Sequence, residues 1–353
     1  MKPEEFLAYR LANHQLLSTS LSTPLDIVSH MGPIQAQEYG SSHWAIGARL
    51  PNCTIEDVQQ AFTNKEIVRI TCLRGTLHVV AATEVRAILQ VIAPAVRIKL
   101  KSMQKKLEMD EKVLAKTNSL IVKALKKKQL SREELSYYLH QHGVNIEDNR
   151  MNHILYEAAI SGLICNSPDK GIYVLQEDWL PPATNITGAM ASGILAKQYF
   201  SSHGPASLAD FAFWSGLSVT EAKLALQGIK DQLSAYSINN TEIYTVVHKK
   251  QSTISSAFLL PAFDEYFLGY KDRSQLIDQE FISRIMTKNG IFNPIMVLNG
   301  RIAGLWRRTI KSGIEMNLQP FKALAKKEMR MFEEKAEEFA HFMKLPLKRL
   351  EIS

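Results

Sequence analysis

The sequence predicts an α+β protein built from repeated small units, and three observations carry that prediction. A helix, helix, helix, hairpin order occurs twice in succession through the middle of the chain, and a looser version of it precedes them. The last hundred or so residues change character, from helical periodicity to short apolar or alternating runs. At 353 residues, 46% of them hydrophobic, the chain has length for several compact units with substantial cores.

Taken in order, the first hundred residues read as helices over 3–18, 24–31, 44–48 and 55–62, then strands over 67–71 and 76–80 joined across Leu73-Arg74-Gly75. Residues 119–128 carry Leu120, Ile121, Ala124 and Leu125 at helical spacing. Ser131-Arg132-Glu133-Glu134 is a capping box opening a second helix through Tyr137 and Leu139. A third helix over 148–161 buries Ile154, Leu155 and Ala158 and stops at Gly162, and strands 163–165 and 172–175 follow. After the linker Leu180-Pro181-Pro182-Ala183-Thr184 the order returns. Helix 187–200 comes first, then one capped by Ser207 with Phe211 and Trp214, then one capped by Ser218 with Ala222, Leu224 and Leu226. Strands 233–238 and 243–248 turn at Asn239-Asn240. Near the end, strands 257–261, 295–298, 301–306 and 314–318 surround the hairpin signal Asn299-Gly300, and 321–343 is a closing helix rich in Lys and Glu. This order is that of a winged helix-turn-helix, and it divides the chain at 1–110, 111–182, 183–252 and 253–353.

Composition narrows the function classes. The formal charge is +7, which favours a polyanionic partner without requiring one. Cys53, Cys72 and Cys165 are odd in number and far apart, and no CxxC exists, so neither a disulfide framework nor a zinc finger is expected. The N-terminus has no apolar signal core, and the apolar stretch 85–98 is broken by Arg86 and Pro94. No membrane partner is expected, and the expected location is the cytoplasm. No phosphate-binding loop, HExxH or GxSxG is present. Asp264, Glu265 and Asp272 lack a second ligand cluster at metal spacing, so structural hydrogen bonding is the better reading and no metal or cofactor is expected.

The candidate functional residues lie elsewhere. Gln35-Ala36-Gln37 places two amides one residue apart on a short apolar segment. Amides are not strong bases, but they hold water and read base edges. They also cap helices and bond backbone, which is the ordinary reading. Arg74, Thr76 and His78 are expected on one strand face at period two. From Arg97 to Lys128 the chain carries eleven Lys or Arg against three acids, either a solvated helix pair or a phosphate-contacting ridge; Lys105, Lys106, Lys126, Lys127 and Lys128 are its densest points. Arg307 and Arg308 end a strand and are further phosphate candidates. Helix 148–161 is only weakly basic, with Arg150 and His153, which argues against a transcription factor.

Four blocks, in this order, resemble the winged-helix bacterial DNA glycosylases of the AlkZ and YcaQ group. They are Ile34-Gln35-Ala36-Gln37, Leu73-Arg74-Gly75-Thr76-Leu77-His78, the run from Leu260 to Tyr270 (LPAFDEYFLGY), and the run from Asn299 to Arg308 (NGRIAGLWRR). The resemblance spans nearly the whole chain. It implies tandem winged-helix units in a C-shaped arrangement around DNA, completed by a small C-terminal β-barrel. It also implies a monofunctional DNA glycosylase that hydrolyses the N-glycosidic bond of cationic N7-alkylated purines, with interstrand crosslinks as a further substrate class. The family motif is Gln, an apolar residue, then Gln in the AlkZ branch or Asp in the YcaQ branch; Gln35-Ala36-Gln37 follows the first. Gln35 and Gln37 are then the catalytic residues, and double-stranded DNA carrying alkylated purines or crosslinks is the partner, bound by a monomer associated with the nucleoid. No Lys stands at the motif as a lyase nucleophile, Lys65 being the one to test. The alternative is a non-catalytic winged-helix DNA-binding or regulatory protein. A third helix rich in base-reading Arg, Asn and Gln would favour it, and neither repeat shows one.

Overall fold

A computed structural model describes residues 3–182, 186, 188–238, 240–246, 255–287 and 289–353. Ala183 and Thr184 of the linker, the expected helix start Thr187, the turn residue Asn239 and the end of strand 243–248 lie outside the described residues. The mixed α+β composition is as the sequence predicts. In the second unit, helices Glu111–Leu125, Arg132–Gln141 and Arg150–Ile160 precede the antiparallel pair Ile164–Asn166 and Ile172–Leu175. In the third, Gly188–Ser202, Leu208–Ser215 and Val219–Gln227 precede Leu233–Ile238 and Thr241–Val246. Ser131, Ser207 and Ser218 each accept from the backbone N–H three residues on, while the acid there bonds back, which fixes three helix starts locally.

The first unit is less separate than its hairpin suggests. Strand Ile67–Thr71 pairs with Leu77–Ala81 and also reaches the second unit, with Arg69 opposite Asn166, so the two units share one six-stranded sheet. An isolated hairpin leaves edge N–H and C=O groups open, and this junction closes one edge. The stretch 85–98 is the N-terminal part of helix Val85–Lys106, which contains Pro94. No helix among the described residues is long and apolar enough to cross a membrane.

The expected C-terminal barrel is not formed among the described residues. Strands Ala257–Leu260, Ile295–Leu298, Arg301–Ile310, Ile314–Pro320 and Leu347–Ile352 make an open sheet in that order, and its outer strands do not pair. The sequence reading does not include Leu347–Ile352, which joins parallel to Ile314–Pro320 after the helix Lys326–Met343. That helix turns Phe332, Ala336, Phe339 and Ala340 inward, so the apolar side of the sheet is covered by a helix and needs no closure on itself.

Two large apolar cores meet along the first hairpin. Alternate residues of its strands divide between them: Val68, Ile70 and Val80 enter one core with Leu73, Trp214 and Tyr266, whereas Ile67, Val79 and Ala81 enter the other with Trp44, Trp306 and Phe339. Ile34 and Ala36 belong to the second core, so the Gln-Ala-Gln segment runs along the seam.

Candidate active site

Local chemistry delivers the motif to that seam. Thr23 and Asp26 form a reciprocal cap and Pro24 starts the helix Pro24–Met31; Gly32, at φ 71°, ends it. The chain then enters the two-residue strand Ile34–Gln35, with Gln35 opposite His78. Ala36 N–H donates to Leu77 O at 2.7 Å, and Arg69 Nε donates to Ala36 O at 3.1 Å. The backbone between the two glutamines is therefore held from both sides. Gln37 then emerges into solvent one residue before Glu38, which immediately precedes helix Tyr39–Gly47. Among the described residues its side-chain amide has no hydrogen-bond partner.

Gln35 has the opposite environment. It is 6% exposed. The Thr76 hydroxyl lies 3.0 Å from Gln35 Oε1, and the Gln35 backbone N–H donates to Glu265 Oε1 at 2.9 Å. The other oxygen of Glu265 accepts from Trp214 Nε1 at 2.9 Å, and Arg74 Nη1 donates to the Trp214 carbonyl.

Arg74, Thr76 and His78 do not share a strand face, which corrects the period-two expectation. Arg74 and Gly75, at φ 53° and 82°, form a tight turn closed by Thr76 N–H on Leu73 O at 3.1 Å, and the strand begins at Leu77. Gly75 is required twice over: its φ suits glycine, and a Cβ there would lie 1.2 Å from the Tyr156 hydroxyl oxygen. His78 is fully buried. Its Nδ1 lies 2.8 Å from Thr76 O, an acceptor, so Nδ1 carries the proton and Nε2 is an unpartnered lone pair. Burial, and then the Arg74 charge, lower the imidazole to about 4, which leaves it neutral at pH 7. It lies beneath the site and not on a DNA-facing surface.

Of the two arginines, Arg308 reaches the motif's neighbour, 3.7 Å from Glu38 and half-buried beside Trp306, while Arg307 is exposed. The five lysines are all exposed. Lys105 and Lys106 end one helix and Lys126–Lys128 follow the next, whose fifteen residues span roughly 22 Å. Lys65 is engaged elsewhere, its ammonium 4.3 Å from the Trp179 ring centre and 3.3 Å from Asp178 O. The three cysteines are buried, and burial pushes each thiol up to about 12.

Residues 28–342 match the family described as AlkZ-like DNA glycosylase. The chain belongs to that family. It is 21% identical over 326 residues, 86% of each chain, to an interstrand DNA cross-link repair glycosylase of Streptomyces sahachiroi. The solved structure of the Streptomyces sahachiroi DNA glycosylase AlkZ has the same fold, with a TM-score of 0.84 at 19% identity over 99% of both chains. The protein is a DNA glycosylase, a hydrolase of N-glycosyl bonds that acts on DNA.

Sequence reasoning does not place Arg69, Trp214 or Glu265 at the candidate site. It weighs Glu265 as a cation ligand and prefers structural hydrogen bonding for it. The signal for Glu265 is its setting, an acid inside an apolar run, which must find donors when buried. Burial alone would raise its carboxyl, but the His203 ring 3.5 Å away, then His78 and Arg74, outweigh that and hold it down at about 2. Its neighbour Asp264 makes a two-pronged ion pair with Arg49, at 2.7 and 2.9 Å, both side chains buried. These carboxylates have structural partners, in line with the sequence reading.

Proposed function

We propose that the glycosylase excises cationic N7-alkylated purines without lyase chemistry, and that crosslinks joined through N7 are within its range. The observation that carries this reading is the pair of amides on a clamped backbone. Gln37 is solvent-facing and, among the described residues, unpartnered, two positions from a Gln35 fixed by Thr76 and Glu265. An N7-alkylated purine already bears positive charge, so its departure needs no strong general acid. What remains is to hold a water near the anomeric carbon and to orient dipoles toward an oxocarbenium-like transition state. In this mechanism Gln37 positions the water and Gln35 orients that water or contacts the sugar.

The two helix, helix, helix, hairpin units act here as winged helices that hold the duplex in a C-shaped grip, with the exposed lysines and Arg307 on its phosphates. A crosslinked base cannot swing into a closed pocket, so an open cleft suits that substrate. The name of the Streptomyces sahachiroi relative, a cross-link repair glycosylase, supports the same class.

The test uses duplex DNA with one N7-methylguanine and, separately, an N7-linked crosslink, followed by alkaline cleavage of abasic sites. Gln37→Ala should lose excision by roughly a hundred-fold or more while duplex affinity stays within about two-fold. Full activity in that variant would remove Gln37 from the mechanism. Tight duplex binding without excision of either substrate by the unaltered protein would favour a regulatory role.

A further inference from the structure

Four segments far apart in the chain close a ring around Gln35. Gln35 N–H donates to Glu265, Glu265 accepts the Trp214 indole N–H, the Trp214 carbonyl accepts from Arg74, and Thr76, two residues beyond Arg74, bonds the Gln35 amide oxygen. Every side chain of the ring except Arg74 and Thr76 is buried. Packing alone does not account for a carboxylate here. An amide or a leucine would fill the space without the cost of burying an acid, whereas this acid joins two donors from segments 230 and 51 residues away in sequence.

We infer that Glu265 is a positioning residue of the glycosylase: its carboxylate fixes the backbone of Gln35 and places a permanent negative charge behind the catalytic amides. The charge has a direction of effect. As the bond breaks, positive charge leaves the purine and develops on the sugar. With the sugar held against the amides and the base beyond it, an anion behind the motif would stabilise the transition state more than the bound substrate. The proposal rests on the reading of Gln35 and Gln37 as the catalytic pair.

The groups facing the carboxylate come from every element packed on it. They are His203 after helix Gly188–Ser202, Tyr199 on that helix, His78 on strand Leu77–Ala81, Arg74 in the turn, and Tyr270 beyond Glu265 itself. Burial lowers the His203 and His78 imidazoles and raises the Tyr199 and Tyr270 phenols.

The experiment measures single-turnover excision of N7-methylguanine, duplex affinity and thermal stability for Glu265→Gln, Trp214→Phe and Gln37→Ala. Glu265→Gln should slow excision roughly ten- to a hundred-fold with duplex affinity unchanged. Trp214→Phe keeps an aromatic ring and removes one donor to the carboxylate, so its protonation moves up from about 2 but stays below pH 5. Between pH 3 and 5 that variant should lose rate as pH falls, with an acid limb steeper than that of the unaltered protein. Wild-type excision by Glu265→Gln beside an inactive Gln37→Ala overturns the inference and leaves the catalytic motif standing. Parallel loss of rate, affinity and stability in Glu265→Gln, with no added acid limb in Trp214→Phe, reduces Glu265 to a structural acid. Full activity in Gln37→Ala overturns the motif and the inference together.

Discussion

The ring around Gln35 and the lysines at the ends of helix Glu111–Leu125 are both polar, yet they are built on opposite principles. At Gln35 the backbone N–H and the amide oxygen each meet a named partner from a distant part of the chain, inside a seam between two cores. Lys105, Lys106 and Lys126–Lys128 stand in solvent with no ion pair among the described residues. Chemistry at a sugar carbon requires position, which long-range hydrogen bonds in a dry setting supply. Holding a phosphate chain requires charge alone, and flexible ammonium groups supply it at any orientation. The difference predicts that the first region is sensitive to single atoms and the second only to total charge.

The largest effect expected is inside the buried region. Asp264→Asn leaves the Arg49 guanidinium buried without its counter-charge and should cost about 3–5 kcal/mol, read from the midpoint of chemical unfolding. A shift below about 1 kcal/mol would mean that this region tolerates lost charge as the surface does. The pH dependence is the next test. The unfolded chain binds a proton on His78 near 6.5, whereas the folded protein resists it down to about 4. Its contribution is therefore complete above pH 6.5 and disappears as pH falls toward 4, worth about 3 kcal/mol over that window. His78→Gln should flatten the fall in melting temperature between pH 6.5 and 4; an unchanged slope would place the acid sensitivity on the other buried histidines. Smallest per residue is the lysine effect. Neutralising all five should weaken duplex binding and reduce its salt slope by about 0.9 for each phosphate that the lysines cease to neutralise, with single substitutions near the limit of detection. An unchanged slope would move the DNA surface elsewhere.

Much of this is legible in the residues. Ser131, Ser207 and Ser218 fix helix starts through partners three residues away, and Asn299-Gly300 fixes a hairpin through its own backbone preferences, so such features follow from local sequence. The spacing of Gln35 and Gln37, and the family likeness of the four blocks, are visible for the same reason. The shared six-stranded sheet and the open C-terminal sheet with its parallel last strand are not visible. Each depends on which edge or face meets which, and no local pattern encodes that choice.

The sequence by itself determined the helices, the turns, the basic balance and the two amides, because each rests on interactions within a few residues. Tertiary structure alone decided that one amide is free and the other clamped. The partners that separate them, Glu265 and Thr76, stand 230 and 41 residues from Gln35, and only packing two cores against one hairpin brings them within hydrogen-bond reach.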